Sequence, residues 1–355
     1  MDLLTLLRKE ALSVRRNLGL FVVLLLLIPA MLSGVTGVYQ QTIPEDIPVG
    51  VAPASAETTD DELDAASLGV RYFASPVTYD SPAAAREALQ REEVYLLIEV
   101  PPDLVVEGES ANFTVVSDRT IVPFAEPANV SVSIMNSNLD GQLAADVEVH
   151  HERLNEQRVL TEYMMAAALV LFVFVYAMVF LPYQLRNERL VLDRLQTTSR
   201  LETVIASKLL FYGALAVVPT LTVGLVGRWM GFDMAVLSPL SLASVFLTFL
   251  FLGSVGLAVL FAMGMRRSAL FVDVGFVFAL AGLSSLVYPV GFFSSTRKAI
   301  SRSLPTHYAT ITTRSGMLRD APAALYADYL AFLVGAAVVG LVALAGSIAV
   351  YKRRR

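Results

Sequence analysis

The sequence contains no cysteine and only three histidines. Without cysteine, the chain can form no disulfide, no thiolate metal site and no cysteine nucleophile. The histidines, His150, His151 and His307, show no His-Glu-x-x-His or comparable ligand spacing. We interpret the adjacent pair as a solvated surface feature, because neighbouring residues of a helix or strand point in different directions. No metal or catalytic centre is therefore predicted.

Charged residues are also scarce, at 17% of the chain, whereas 55% of the residues are hydrophobic and the mean hydropathy is +0.60. An ordinary soluble domain is about a quarter charged, so this composition indicates lipid as a solvent. A helix of about 20 apolar residues crosses a bilayer. We predict six such spans, at Leu18–Val38, Tyr163–Tyr183, Val204–Gly227, Leu240–Met263, Ala269–Phe292 and Leu325–Tyr351.

Basic residues near the ends of spans tend to stay in the cytoplasm, which predicts the orientation. Four basic groups fall on one side of a six-span chain: Arg8, Lys9, Arg15 and Arg16; Arg186, Arg189, Arg194, Arg200 and Lys208; Arg266 and Arg267; and 352–355. Both termini are thus predicted to be cytoplasmic. An alternative is that the first apolar run is a cleaved signal peptide, but it is longer than a usual signal core and has no A-x-A site.

The segment between the first two spans is acidic. It carries 22 acidic and six basic residues from Gln40 to Arg158, about −16, although the net charge of the chain is −5. Since the chain has only four lysines, this surface suits hydration in high salt and suggests a halophilic source. An acidic domain from an ordinary organism is the alternative. Two triplets, beginning at Asn112 and Asn129, have the form of glycosylation acceptors.

This acidic segment is predicted to fold as a small α/β domain. Short strands are expected at Ile47–Ala52, Val70–Ala74, Tyr95–Val100 and Asn112–Ser117, a helix at Ser81–Glu93, and helical periodicity from Val130 to Gln157. The carboxylates Asp60, Asp61, Glu62 and Asp64 lie in polar, turn-like sequence and are interpreted as a solvated face. The predicted fold is an α-helical polytopic membrane protein with an extracytoplasmic α/β domain after the first span.

A family resemblance begins at the loop after the second span. The loop opens with Glu188-Arg189, continues through Leu195-Gln-Thr-Thr-Ser-Arg200 and closes with Lys208. This pattern resembles the signature of type-2 ABC transporter permeases. Further similarities follow the chain in order: Arg8-Lys9-Glu10 before a proline-containing span, Ser81–Glu93 leading into Tyr95-Leu-Leu-Ile-Glu-Val-Pro-Pro, Tyr288-Pro289, and Leu304-Pro305-Thr-His-Tyr308.

The resemblance implies that the loop docks a separate ATPase. The chain has no Gly-x-x-x-x-Gly-Lys-Ser/Thr phosphate loop, so ATP is expected on a partner ABC ATPase subunit and no cofactor on this chain. A second permease copy in a homodimer or heterodimer and the lipid bilayer are the other partners implied, and nucleic acid is not. The residues predicted to dock are Glu188, Arg189, Asp193, Arg194, Leu195, Arg200, Glu202 and Lys208. The alternative for this loop is a solvated connector helix with local ion pairs.

The resemblance also implies a domain plan. Residues 1–39 would form an interfacial elbow helix and the first span, residues 40–158 the extracytoplasmic domain, and residues 159–355 five spans with a coupling loop at 184–208. The basic loop between spans five and six breaks the orientation rule. In the family this part, here 292–322, dips into the outer leaflet, which would let its arginines snorkel to lipid phosphates. Its marked residues are Pro289, Arg297, Arg302 and Pro305, and the alternative is an ordinary external loop.

Asp273, early in the fifth predicted span, has two interpretations: a residue of the transport path, or an interfacial ion pair with Arg266 and Arg267, which we favour from the sequence. For the whole chain, the alternatives to an export permease are a membrane-anchored sensor or ligand-binding protein and an ion-driven secondary transporter. The sensor accounts poorly for five further spans. The secondary transporter predicts internal repeats, which the sequence does not show. The transported substrate cannot be read from the sequence.

Overall fold

The computed structural model describes residues 3–16, 18, 25, 47–71, 74–102, 110–125, 127–130, 132–133, 146–189, 191–192, 199–293 and 295–354. The chain divides into two compact units. The helical unit comprises Met1–Val38, Met164–Leu286 and Arg302–Arg355, and the sheet unit comprises Tyr39–Tyr163 and Val287–Ser301. The first element, helix α1 (Leu3–Arg16), belongs to the helical unit.

The sheet unit is built on a five-stranded sheet. Its elements are β1 (Pro48–Pro53), α2 (Asp60–Val70), β2 (Ser75–Thr78), α3 (Pro82–Gln90), β3 (Leu96–Val100), β4 (Ser110–Asp118) and β5 (Asp146–Leu154). The strand order is β2-β1-β3-β4-β5; β3 and β4 are antiparallel and the other neighbours are parallel. Helices α2 and α3 each connect two parallel strands, as a parallel pairing requires.

Side-chain caps set the start of both helices. The Thr59 side chain accepts a hydrogen bond from the Glu62 N–H, and the Glu62 carboxylate accepts one from the Thr59 N–H at 2.8 Å, which completes a capping box before α2. Ser81 caps α3, with Pro82 in its first turn. The acidic sequence predicted to be turn-like therefore includes the first turn of α2, at Asp60, Asp61 and Glu62. The positive end of the helix dipole stabilises carboxylates at this position.

The core of the sheet unit has two layers. On one face, strand residues such as Val49, Val51 and Ile98 pack with Val70 of α2. On the other, strand residues such as Leu97 pack with α3. The alternation of buried residues along β3, with Leu97 facing opposite to its neighbours, follows the two-residue period of a strand.

The late segment Val287–Ser301 completes this unit. The Phe292 ring meets the Phe124 ring edge to face, with centroids 6.3 Å apart. A Cβ added at Gly291 would overlap the ring of Tyr95. The predicted domain plan places this segment in the membrane domain, whereas in the structure it packs as part of the sheet unit.

Two predicted elements of this unit are wrong. The predicted strand Val70–Ala74 begins on the last residue of α2, and the next strand begins at Ser75. The capping box nucleates a helix that extends to Val70, so the first residue of the predicted strand is helical, and the strand that follows begins at Ser75. The helical periodicity from Val130 to Gln157 is replaced, over Asp146–Leu154, by β5, which pairs with β4 along its whole length. That long-range pairing overrides local periodicity.

The remaining helices follow the sheet. They are α4 (Leu160–Val175), α5 (Leu181–Asn187), α6 (Leu201–Leu215), α7 (Val217–Trp229), α8 (Pro239–Ala262), α9 (Arg267–Leu283), α10 (Ser295–Ser303), α11 (Pro305–Arg319) and α12 (Ala327–Arg353). A π-helical turn at Tyr176–Phe180 joins α4 to α5. Most of α10 falls in the sheet unit.

Four helices of the described residues are long and apolar enough to cross a membrane: Leu160–Asn187, Leu201–Trp229, Pro239–Ala262 and Ala323–Arg353. They coincide with predicted spans two, three, four and six. The first predicted span, Leu18–Val38, lies almost entirely outside the described residues. The fifth corresponds to α9, whose 17 residues end at Leu283 instead of Phe292. The chain turns there through Ser285, whose φ of 56° does not continue a helix.

Helix α8 is the centre of the helical unit and packs against α11 and α12. A Cβ at Gly256 would lie 3.1 Å from the Met178 backbone, and one at Gly340 would lie 3.1 Å from the Phe251 carbonyl oxygen. Small residues such as Gly256 therefore permit close helix approach. Gly264 plays no such part: an added Cβ would have nothing within 4 Å, and the residue takes a φ of +67° after α8 ends.

Candidate coupling site

A cluster of four charged side chains joins three elements of the helical unit. Amphipathic helix α1 supplies Lys9 and Glu10, the turn after α5 supplies Glu188, and the middle of α6 supplies Lys208. Glu10 lies on the buried side of α1, one turn after Leu6. The periodicity of α1 thus turns a carboxylate toward α6, while Arg8, Arg15 and Arg16 stay exposed.

Lys208 is the centre of this cluster. Its side chain is 0% exposed, and its Nζ lies 2.9 Å from Glu10 Oε2 and 3.1 Å from Glu188 Oε2. Lys9 Nζ closes the ring, at 3.2 Å from Glu10 Oε1 and 3.1 Å from Glu188 Oε2. Two cations and two carboxylates alternate, so each buried charge has two partners of opposite sign. This pairing satisfies the condition under which charges can be buried at all.

Aromatic and amide groups complete the surroundings of the cluster. The Lys208 ammonium lies 5.8 Å from the ring centroid of Tyr212, one turn further along α6, where the ring face attracts a cation. The Gln184 side chain donates to Glu188 Oε1 at 3.1 Å. Beyond Tyr212, the Tyr176 ring lies between Phe172 and Phe180, with centroid distances of 5.7 and 5.6 Å. The cluster is therefore bordered by aromatic residues, which include those of the π-helical turn.

The pKa shifts of Glu188 and Lys9, at the rim of the cluster, favour the ionised form of these two groups. Burial raises the pKa of the Glu188 carboxyl, but the charges of Lys208 and Lys9 lower it further, so the pKa lies below its ordinary value. Burial lowers the pKa of the Lys9 ammonium, whereas Glu10 and Glu188 raise it to above its ordinary value. Both groups thus keep their charges over the physiological pH range.

The predicted docking residues separate into three groups. Glu188 and Lys208 belong to the cluster, so their charges already have internal partners. Arg189 and Arg200 are exposed, and Glu202 pairs with Lys352 Nζ at 2.6 Å near the end of α12. The other three, Asp193, Arg194 and Leu195, lie outside the described residues. Their contact with an ATPase stays a prediction.

Lys9 and Glu10 are the functional candidates that the sequence does not identify. Their sequence pattern resembles an elbow helix, and that resemblance gives neither residue a role. The available signal is a carboxylate on the apolar side of an amphipathic helix, which predicts a buried basic partner. The sequence does not say which lysine that partner is, because Lys208 lies 198 residues away.

Three of the four residues marked for the re-entrant segment lie on helices α10 and α11. Pro289 precedes a short 3₁₀ turn, and the Arg297 guanidinium of α10 stacks 3.8 Å from the centroid of the Phe293 ring. Arg302 lies near the end of α10, where its carbonyl oxygen accepts a hydrogen bond from the Tyr308 hydroxyl at 2.7 Å. Pro305 occupies the first turn of α11. The depth of this segment in a membrane stays a prediction.

Helix α11 is a polar helix buried on every side from Thr306 to Leu318. Hydroxyl groups attach it to α8: Ser241 donates to the Thr313 carbonyl oxygen at 2.8 Å, and the hydroxyls of Ser244 and Thr312 are 2.7 Å apart. His307 Nδ1 is paired with the Ser285 hydroxyl at 2.8 Å. Its buried polar groups are thus matched across helices, as membrane helices require.

Asp273 has no ion pair with Arg266 or Arg267. Both arginines are exposed, whereas Asp273 is 0% exposed and neither of its carboxylate oxygens has a hydrogen-bond partner. The interpretation favoured from the sequence is therefore wrong. The reason is geometric, since Asp273 lies more than a turn inside α9 on its buried side, while the arginines lie at its start.

The family model for ABC-2 family transporter proteins matches residues 18–345. No curated protein and no solved structure matches the chain significantly. The matched region includes Glu188 and Lys208 and begins after Lys9 and Glu10.

Proposed function

Because the chain belongs to the ABC-2 transporter family, we propose that it is the membrane permease subunit of an ATP-driven exporter. A separate ABC ATPase subunit binds and hydrolyses ATP and docks on the cytoplasmic loop at 184–208. A second permease copy completes the transport path. The chain itself carries no phosphate loop, so it acts by changing conformation and not by catalysis.

The observation that carries this proposal is that an ion pair joins the two ends of the coupling loop. Glu188 stands near the start of the loop at 184–208 and Lys208 is its last residue, yet their side chains meet at 3.1 Å. Glu10 binds the same lysine at 2.9 Å. The loop therefore leaves from a fixed point to which α1, α5 and α6 are all attached.

A fixed base gives the loop a mechanical role. If its two ends were free, a push on the loop would be absorbed by backbone rotation near residues 188 and 208. Because buried ion pairs hold the ends together, the same push moves the helices Leu160–Asn187 and Leu201–Trp229 and the helix α1 as one body. Closure of two ATPase subunits on ATP thereby reaches the membrane helices of the permease.

Co-purification with the ABC ATPase of the same genome tests this proposal. Arg189→Glu and Arg194→Glu reverse charges of the loop outside the ion cluster, and we expect each to reduce recovery of the ATPase about tenfold or more, which corresponds to about 1.4 kcal/mol. Arg71→Glu makes the same change on an exposed residue of the sheet unit and should leave recovery unchanged. Unchanged recovery with both loop variants would remove the docking role.

Orientation is tested independently, because the chain has no cysteine to replace. Single cysteines at Thr197 in the loop and at Ser55 in the sheet unit are treated with a membrane-impermeant maleimide in intact cells. We expect labelling at Ser55→Cys only. Labelling of Thr197→Cys from outside would contradict the docking of an intracellular ATPase and would favour the membrane-anchored sensor.

A further inference from the structure

Helix α9 turns a carboxylate toward the protein interior. Its buried residues, Ala269, Asp273 and Val277, are four residues apart and form a single stripe. The opposite side is broadly exposed and apolar, with Phe271 78% and Phe278 75% exposed. Asp273 therefore occupies the middle of the only buried stripe of this helix.

Among the residues that the structure describes, the surroundings of Asp273 offer it no charge and no hydrogen bond. Neither carboxylate oxygen has a partner, although the residue is 0% exposed. Helix α8 packs against α9 and contains no charged residue. The π-helical turn packs there too and contributes one titratable group, Tyr176, whose hydroxyl donates to the Tyr212 carbonyl oxygen at 3.2 Å. The arginines at the start of α9 are exposed.

The other charged groups near α9 lie at its far end. His307 and Arg314 of α11 contact Ser285, with Nδ1 of His307 2.8 Å from the Ser285 hydroxyl and Nη1 of Arg314 3.4 Å from the Ser285 carbonyl oxygen. Ser285 is about 18 Å from Asp273 along the helix, at 1.5 Å per residue. Neither group therefore neutralises the Asp273 carboxylate.

These observations restrict what Asp273 can hold. An ionised carboxylate without a partner is too costly to bury, and in such a site the group takes up a proton instead. A metal cation such as Ca²⁺ needs about six or more oxygen ligands, and the described residues contain no group of three acidic or histidine side chains placed to hold a metal ion. A proton needs one oxygen only.

We propose that Asp273 is a proton-binding site of the permease. The side chain is a neutral carboxylic acid in this conformation. When α9 moves and water reaches the buried stripe, the O–H bond breaks, the proton passes to water and a carboxylate remains. Return of the stripe to the interior takes a proton back.

Two features of α9 allow such a movement. One stripe of the helix is packed, so a modest rotation suffices to expose Asp273. Both ends are also bounded by left-handed residues, with Met265 at φ 57° before the helix and Ser285 at φ 56° after it. Such positions are uncommon for residues other than glycine and concentrate where a chain changes direction or switches.

Infrared spectroscopy of the permease alone, in lipid nanodiscs at neutral pH, tests the proposal without any ATPase. We expect the carbonyl band of a protonated carboxylic acid in the wild type, its loss in Asp273→Asn, and its retention in Asp320→Asn. Asp320 is an exposed aspartate at φ 47°, a conformation that asparagine adopts readily. An identical band in wild type and Asp273→Asn would overturn the proposal.

Thermal unfolding provides a second readout. Since burial favours the neutral acid, raising the pH from about 6 to 9 should lower the unfolding midpoint of the wild type but not that of Asp273→Asn. Equal pH dependence in the two proteins would overturn the proposal. If Asp273→Asn does not accumulate, Asp273→Glu replaces it in the infrared measurement, where the acid band must shift in frequency, and an unshifted band gives the same negative answer.

Discussion

Both units of this protein use a multi-charge cluster, but the two clusters differ in burial. In the sheet unit, the Arg86 guanidinium binds Glu99 Oε1 through Nε at 2.8 Å and both oxygens of Glu152 through its two Nη atoms at 2.9 and 2.7 Å. The Arg86 side chain is 35% exposed, whereas the Lys208 side chain in the helical unit is 0% exposed. Water reaches Arg86 and Glu152 in the first cluster, whereas in the second cluster it is excluded from Lys208 and Glu10 and reaches only the rim residues Lys9 and Glu188.

The difference in burial indicates which ion pairs are essential to the stability of the fold and which change that stability only slightly. Arg86 presents a planar fork that matches two carboxylates, and its hydrogen bonds raise its pKa. Removing it leaves Glu152 in contact with water. Removing Lys208 would strand Glu10, which is 1% exposed, without a central counter-charge. Removing one partner of a buried ion pair is strongly destabilising, although replacing the whole pair with apolar residues is often neutral.

The largest effect should follow from Lys208→Met. The variant removes one cation and leaves two buried carboxylates close together, which should destabilise the helical unit by about 3–5 kcal/mol. The midpoint of thermal unfolding in detergent measures the loss. Lys352→Met is the matched control, since Lys352 is 46% exposed. Equal unfolding midpoints for the two variants would show that burial of the lysine does not determine how much stability is lost.

A double variant sharpens this test. Adding Glu10→Gln to Lys208→Met removes the stranded carboxylate, so the double variant should recover part of the lost stability. If it is instead as unstable as the sum of both single variants, Glu10 and Lys208 do not act as a pair.

The next effect is the pH response of Glu188. Its pKa is lower in the folded protein than the ordinary 4.5, so its contribution is fully present above the unfolded value and is lost as the pH falls through the folded value. Glu188→Gln should therefore cost about 2 kcal/mol at neutral pH, the scale of a hydrogen bond to a charged group. Its deficit against the wild type, followed by thermal unfolding, should shrink below about pH 4.5. A deficit that does not change with pH would assign the loss to packing.

A smaller effect is expected in the sheet unit. Arg86→Met should cost about 1 kcal/mol, because Arg86 is 35% and its partner Glu152 34% exposed, although its other partner Glu99 is only 10% exposed. The loss should appear as faster amide hydrogen exchange in α3, which carries Arg86, measured on the full chain. Arg71→Met, at another exposed arginine, serves as the control. A loss as large as that of Lys208→Met would show that exposure does not separate the two clusters.

The smallest effect concerns Glu202 and Lys352, which are 50% and 46% exposed. Glu202→Gln should change stability by less than about 1 kcal/mol. Because Glu202 is one of the predicted docking residues of the coupling loop, the same variant can be tested for ATPase recovery. Reduced recovery with unchanged stability would indicate that Glu202 contacts the partner directly.

The sequence predicts the membrane helices well because their signal is local. A run of about 20 apolar residues is sufficient to identify a span, and four predicted spans coincide with long apolar helices. The strand Tyr95–Val100 is found for the same reason, since its apolar run is bounded by two prolines. By contrast, β5 depends on its partner β4, and α9 ends at a left-handed turn that no apolar run announces.

The candidate site is only half predictable. The place of Glu188 and Lys208 in a resembling loop identifies them, but as surface residues that meet a partner. Their ion pairs depend on α1, which is distant in the sequence and supplies Lys9 and Glu10. Asp273 shows the opposite case, because its nearest charges in sequence suggest an ion pair that the helix geometry does not allow.

The sheet unit has a consequence for biosynthesis, because it is assembled from two stretches of chain separated by three of the long apolar helices and α9. Gly291 and Phe292 complete the packing around Tyr95 and Phe124, yet the ribosome adds them after most of the membrane helices. The sheet can form early in synthesis, but the segment Val287–Ser301 that completes its packing is synthesised late. A chain truncated before Val287 should therefore expose those aromatic rings and be degraded sooner than one that ends after Ser301.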